Sequence, residues 1–219
     1  MPFPSELNFT SFLQYSPRGQ SAVSRSSKVL TTAIKDDSFY KMGTGHHRAI
    51  PLAALRLSQE IPNHEVLQLC FSGDVILVPV PRRAPLVVGG LWPTNKLCDA
   101  MKQHSIAGSV LPLLERTHAV QKSATAALGK RPGPQTHYDS IAVAANRPLL
   151  GGRHHLVIVD DVVTRGATFF GCYARLRETF PDVRISCFAL IRTISSGEVD
   201  SILAPTTGTI TLNPLHREP

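Results

Sequence analysis

Two adjacent carboxylates, Asp160 and Asp161, stand between an apolar run that opens at His155 and closes at Val159 and the segment Val162-Val163-Thr164-Arg165-Gly166-Ala167-Thr168. The run Leu156-Val157-Ile158-Val159 has the continuous aliphatic character of a strand buried on both faces, the kind found in parallel sheets covered by helices. Ligands of such sheets bind beyond the carboxyl ends of the strands, where Asp160 and Asp161 fall. Residues 164–168 supply consecutive backbone N–H groups and two hydroxyls, and Gly166 permits a close backbone approach. The helix-like run 167–180 then offers unpaired N–H groups and the positive end of its dipole. A phosphate fits that cradle. Like charge keeps the two aspartates from the phosphate itself; they suit ribose hydroxyls or a magnesium ion carried by the substrate. Asp36-Asp37 lacks this context and reads as the decoration of a helix start.

A second candidate is Asp74-Val75-Ile76-Leu77-Val78-Pro79-Val80-Pro81-Arg82-Arg83. Proline has no N–H for a central ladder, so the strand must stop at Pro79 and Pro81. Two cations follow at once.

The segment at 160–168 resembles the phosphoribosyl pyrophosphate (PRPP) loop of type I phosphoribosyltransferases, matching at Asp160, Asp161, Val162, Val163, Thr164, Gly166 and Thr168. It departs at Arg165, where a small or hydroxyl residue is usual, and the turn survives because it depends on Gly166. An aspartate is common at the position of Thr164 in 6-oxopurine transferases; its absence argues against that activity. Val78-Pro79-Val80-Pro81 with Arg82 and Arg83, Pro93-Thr94-Asn95-Lys96-Leu97, and Leu114-Glu115-Arg116-Thr117 with Gln121 are similar to the ComF-like branch. The paired Cys-x-x-Cys zinc ribbon of many ComF proteins is absent. The resemblance spans roughly residues 30–195.

What the resemblance implies is a type I phosphoribosyltransferase-like enzyme. It would transfer ribose 5-phosphate from PRPP, bound with Mg2+, to a nitrogenous base or amine, releasing pyrophosphate. Val163, Thr164, Arg165, Gly166, Ala167 and Thr168 would hold the 5-phosphate. Asp160 and Asp161 would hold the ribose with Mg2+ nearby. Arg82, Arg83 and Arg116 would meet pyrophosphate, and Lys130 and Arg131 would act from a closing loop. The alternative is a non-catalytic module that senses PRPP or a nucleotide, or handles DNA in competence or defence. A homodimer is compatible with either.

These residues need a scaffold. A chain of 219 residues with 42% hydrophobic and 18% charged content suits one globular domain. No run approaches the ~20 apolar residues of a membrane span, and the amino terminus lacks a signal layout, so a cytoplasmic location is expected. Cys70, Cys98, Cys172 and Cys187 are widely spaced in apolar segments and read as small buried thiols. The net charge of +7 and pI of about 9.5 call for an anionic partner, either a phosphosugar or nucleic acid. No Lys/Arg tract interleaved with aromatics singles out nucleic acid. The adjacent pairs His46-His47 and His154-His155 would point to opposite faces of a strand and make no natural chelate.

The periodicity predicts helices over 47–61, 94–104 and 167–180, and strands over 74–80, 109–114, 139–144, 155–159 and 183–191. This alternation implies an α/β fold with a mainly parallel sheet flanked by helices. Residues 1–28, rich in Ser, Pro and Gly, read as a mobile arm before a single domain over 29–219. Residues 116–138, long and basic, read as a lid. The tail after Gly197 reads as a small hood over the acceptor.

Overall fold

The computed structural model of the protein describes residues 3–121, 132–146, 148, 150, 154–194 and 197–212. In chain order the elements are β1 (Glu6–Tyr15), α1 (Ala22–Lys35), β2 (Phe39–Met42), β3 (Gly45–Arg48), α2 (Ala49–Glu60) with a 3-10 turn (Ile61–Asn63), α3 (Glu65–Cys70) and β4 (Asp74–Pro79). They continue as α4 (Pro93–Gln103), β5 (Ser109–Val110), β6 (Leu114–Arg116), α5 (Pro134–Asp139), β7 (Ile141–Val143), β8 (His154–Val163), α6 (Ala167–Thr179), β9 (Arg184–Thr193) and β10 (Leu203–Thr211). A six-stranded sheet runs in the order β10-β1-β9-β8-β4-β5, with β10 its one antiparallel member. The fold is therefore α/β with a mainly parallel sheet flanked by helices, as the alternation predicts.

Both faces of the sheet are covered. Leu77, Val157, Val159, Phe188 and Leu190 pack with α1, α2 and α4 on one side. Ile76, Leu156, Ile158, Cys187 and Ala189 pack with Phe169, Phe170 and Leu176 of α6 on the other. Leu156, Val157, Ile158 and Val159 have no exposed surface, which is why β8 reads as an unbroken aliphatic run. The four cysteines are buried and unpaired. No helix among the described residues is long and apolar enough to cross a membrane.

Four expectations are corrected. The mobile arm expected over residues 1–28 is replaced, from residue 3 on, by ordered elements: β1 lies inside the sheet between β9 and β10, and α1 begins at Ala22. Ser21 to Lys28 misleads because its hydroxyls bond locally. Ser21 Oγ accepts from Ser24 N, Ser27 Oγ donates to Ser24 O and Thr31 Oγ1 donates to Ser27 O. Ser27 and Thr31 are thereby buried without orphaned hydroxyls, and the buried Ser24 Oγ donates to Glu198. Second, residues 109–114 are not one strand; β5 ends at Val110, and β6 belongs to a separate pair with β7. Third, the strand expected over 139–144 shortens to β7 and leaves the main sheet, and residues 116–138 are not one loop, since α5 occupies their end. Fourth, the tail after Gly197 forms no hood over residues 203–211; it is the edge strand β10, paired with β1 from Glu6↔Thr211 to Leu13↔Leu203.

The loop before β10 also anchors α1. Glu198 accepts from Gln20 N at 2.6 Å, Ser21 N at 2.9 Å and Ser24 Oγ at 2.7 Å. These donors at the helix start hold its carboxyl down at about 2.

Candidate functional site

The acidic pair lies where β8 loses one neighbour. Pairing with β4 ends at Pro79↔Val159, and the last bond across it runs from Val80 N to Val159 O at 2.9 Å. The prolines of the second motif end that edge as expected. On the other edge β9 continues, with Asp160↔Ala189, Val162↔Ile191 and Val163↔Arg192. The aspartates thus stand inside β8 rather than after it, open only toward β4. The strand changes phase there. Val157 and Val159 face the first core, Val162 packs against that same core, and Val163 faces the second. Such slips re-aim side chains at strand ends.

Both carboxylates turn onto their own chain. Asp161 N donates to Asp160 Oδ1 at 2.9 Å, and Val162 N donates to Asp161 Oδ1 at 2.8 Å. Burial and the adjacent Asp161 carboxylate hold Asp160 well above the usual carboxylate range, while Lys35 at the end of α1 pulls the other way.

The turn that follows is built locally. Gly166 is the N-cap of α6 with φ +68°, the left-handed region that favours glycine. A Cβ there would lie 2.2 Å from Cδ1 of Ile210 on β10, so two constraints require glycine. No side chain caps α6, and its first turn holds no acidic residue, which leaves its N–H groups for an anion. Thr164 and Arg165 are exposed, Ala167 and Thr168 half-buried, and Val163 buried. Thr164 Oγ1 meets Thr193 Oγ1 at 3.1 Å.

The second loop, residues 80–92, is held through its carbonyls, by its own last residue and by two residues farther along the chain. Trp92 Nε1 donates to Val80 O at 2.9 Å, Arg116 Nε to Arg82 O at 2.9 Å, and Val120 N to Arg83 O at 2.7 Å. Trp92 is thus an anchor of this loop. The Arg82 guanidinium lies against Gly90, where a Cβ would come within 2.3 Å of Nη1. That Nη1 is buried and has no hydrogen-bond partner among the described residues. Arg83 is exposed.

Arg116 is buried rather than displayed, so it does not stand beside Arg83 at the surface. Lys130 and Arg131 lie outside the described residues, as do residues 122–131 of the expected lid. Sequence reasoning gave Lys35 and Ser140 no role here and counted His137 only among the basic residues of the lid, because each reaches its place through tertiary packing. Asp36 and Asp37 stand at the end of α1 rather than at a helix start, and Asp37 is more than decoration. Lys96 Nζ and Arg48 Nη2 both donate to its Oδ2, at 2.6 and 3.1 Å. This ties the β2–β3 hairpin to the first turn of α4. A cavity of about 230 Å³ lined by Asp37, Arg48, Lys96 and Asp99 sits there. Another, of about 160 Å³, is lined by Asn8, Thr10, Cys70 and Ser186. Neither is lined by residues 160–168.

No protein-family model matches this chain, and no curated protein matches it.

Proposed function

We propose that the protein is a type I phosphoribosyltransferase-like enzyme that binds PRPP with Mg2+ and transfers ribose 5-phosphate to a nitrogenous acceptor, releasing pyrophosphate. The observation that carries this reading is the sequence of parts along one strand and helix. An acidic pair stands where β4 ends, followed by a turn with left-handed Gly166 and an uncapped helix start. In this reading the α6 N–H groups and Thr164 and Thr168 hold the 5-phosphate, and Asp160 and Asp161 hold the ribose hydroxyls. Magnesium arrives with the pyrophosphate as part of the substrate. Bond breaking leaves cationic character on the ribose and adds negative charge to the pyrophosphate. Arg82 and Arg83, with Lys130 and Arg131, would offset the latter. The protein's work is positioning and charge rather than covalent chemistry. The β2–β3 hairpin, tied to α4 beside the second loop, takes the place of a hood.

Calorimetric titration with PRPP and Mg2+, followed by product analysis with a panel of bases and amines, tests the proposal. Asp160→Asn with Asp161→Asn should fold and lose PRPP binding. Unchanged affinity in that variant, or no PRPP binding by the wild type, would remove the assignment.

One observation favours a second reading as a nucleic-acid-handling module. Phe39, Lys41, His46 and Arg48 alternate on one face of the β2–β3 hairpin by their register. Phe39 is 59% exposed, and the Arg48 guanidinium sits 5.5 Å from its ring centroid. An exposed ring among cations suits stacked bases and phosphates. Salt-sensitive binding of single-stranded DNA, lost in Phe39→Ala with Arg48→Ala and kept in the double aspartate variant, would favour this reading.

A further inference from the structure

We infer that Arg116 is a positioning residue that sets the pyrophosphate loop through the main chain of Arg82 and does not itself bind the anion. The inference rests on the phosphoribosyltransferase reading above. Arg116 ends β6 and is 6% exposed. Its nitrogens are occupied on every side. Nε donates to Arg82 O at 2.9 Å, Nη1 to Ser140 Oγ at 2.5 Å, and Nη2 faces His137 Nδ1 at 3.5 Å. A guanidinium is a rigid plane of donors. With Nη1 and Nη2 fixed on α5 and the residue after it, the direction of Nε is fixed, and so is the carbonyl it meets.

The far end of this brace is itself braced. Ser140 Oγ donates to Thr136 O at 2.6 Å, and Ser140 O accepts from Thr117 N at 2.9 Å. α5 lies so close to α6 that a Cβ on Gly171 would fall 2.8 Å from His137 Cβ. Arg175 Nε of α6 also donates to Tyr138 O at 3.0 Å. A continuous path therefore runs from α6 through α5 to Arg116 and on to Arg82 O. α6 is the helix whose start would hold the 5-phosphate, and residues 80–92 would hold the pyrophosphate. Arg116 spaces the two ends of one donor molecule. A lysine could keep the charge here but could not reproduce the fork.

Titration of the full chain with ribose 5-phosphate and, separately, with Mg-pyrophosphate tests this. Arg116→Met should bind ribose 5-phosphate within about 3-fold of wild type and Mg-pyrophosphate roughly 30-fold more weakly, because the loop loses a charge-assisted bond that fixes its main chain. Arg116→Lys should recover little of that loss. Ser140→Ala removes the brace without touching the loop and should weaken Mg-pyrophosphate about 5-fold while sparing ribose 5-phosphate; it decides the question if the Arg116 variants do not fold. Unchanged pyrophosphate affinity in Ser140→Ala and Arg116→Met overturns the inference. Full recovery in Arg116→Lys overturns it too, since charge alone would then suffice. Equal loss of both ligands from a folded variant does the same. A wild type that binds neither ligand removes the phosphoribosyl reading instead, and this inference with it.

Discussion

The two loops at the carboxyl edge of the sheet are built by opposite means. Residues 164–168 are fixed by their own chain, through a strand, a left-handed glycine and the first turn of a helix. Residues 80–92 are fixed through main-chain carbonyls, two of them gripped by Arg116 and Val120 far along the sequence and one by Trp92 at the loop's own end. A locally built loop is strong against distant changes and fragile at one residue. A remotely held loop spreads its dependence over Trp92, Arg116 and Val120, and through Arg116 over Ser140 and His137.

The largest expected effect comes from breaking the first loop at its one fragile point. Gly166→Val adds left-handed strain and a clash with Ile210. It should lower unfolding free energy by about 2–4 kcal/mol, read by urea denaturation. Ile210→Ala should return part of that loss in the double variant. If the two changes are additive, the contact with Ile210 is not what demands glycine.

The second loop should be the one sensitive to acid. Burial, with the Arg116 cation beside it, lowers His137 from 6.5 to about 4. The unfolded chain therefore binds the proton first. The stability that neutral His137 confers is complete above pH 6.5 and is lost as pH falls toward 4, at roughly 1.4 kcal/mol per pH unit in that window. Urea titrations from pH 7 to 4.5 should show a shallower slope in His137→Gln. An identical slope would place the acid sensitivity elsewhere, with His155 the next buried imidazole.

Asp160→Asn sharpens the contrast from the other side. The wild-type carboxyl holds its proton more readily folded than unfolded, so the protein gains stability as pH falls through the raised folded value toward 3.8. The asparagine variant should be more stable than wild type at pH 7 by about 1 kcal/mol, and the gap should close in acid. Its ribose 5-phosphate affinity should fall at the same time. A variant that is less stable at pH 7 would mean the carboxylate is well solvated.

The smallest effect should follow Trp92→Phe, which removes only the bond to Val80 O and costs about 1 kcal/mol. Hydrogen exchange should quicken within residues 80–92 and stay unchanged at 164–168. Faster exchange in both would show that the loops are not independently held.

This contrast also explains what the sequence made legible. The first loop could be read because its constraints are contiguous: Asp160, Asp161, Gly166 and Thr168 lie within one strand–turn–helix. The second loop announced only its prolines and arginines, while its anchors at Trp92 and Arg116 had to be seen in space. The ends of the chain were misread for a related reason. In β1 the buried positions include Thr10 and Ser11 as well as Phe9 and Phe12, so no clean alternation marks it. The serines of α1 look solvent-facing until their partners are found: Ser27 on a helix carbonyl, Ser24 on Glu198 and Ser26 on Tyr40. β10, with its threonines and a proline, carries little apolar pattern, and only Ile210 along it is buried.

The placement of β1 sets an order of events during synthesis. Its neighbours in the sheet, β9 and β10, are made last; Thr209 Oγ1 donates to Asn8 Oδ1 across 201 residues of sequence. A growing chain therefore carries an early strand with both edges bare until its partners leave the ribosome, and contacts of such separation form slowly. Proteolysis of ribosome-stalled chains should find residues 6–15 open to cleavage until residues 203–211 have emerged. An early strand that waits so long is the part of this sheet most open to mispairing before the fold closes.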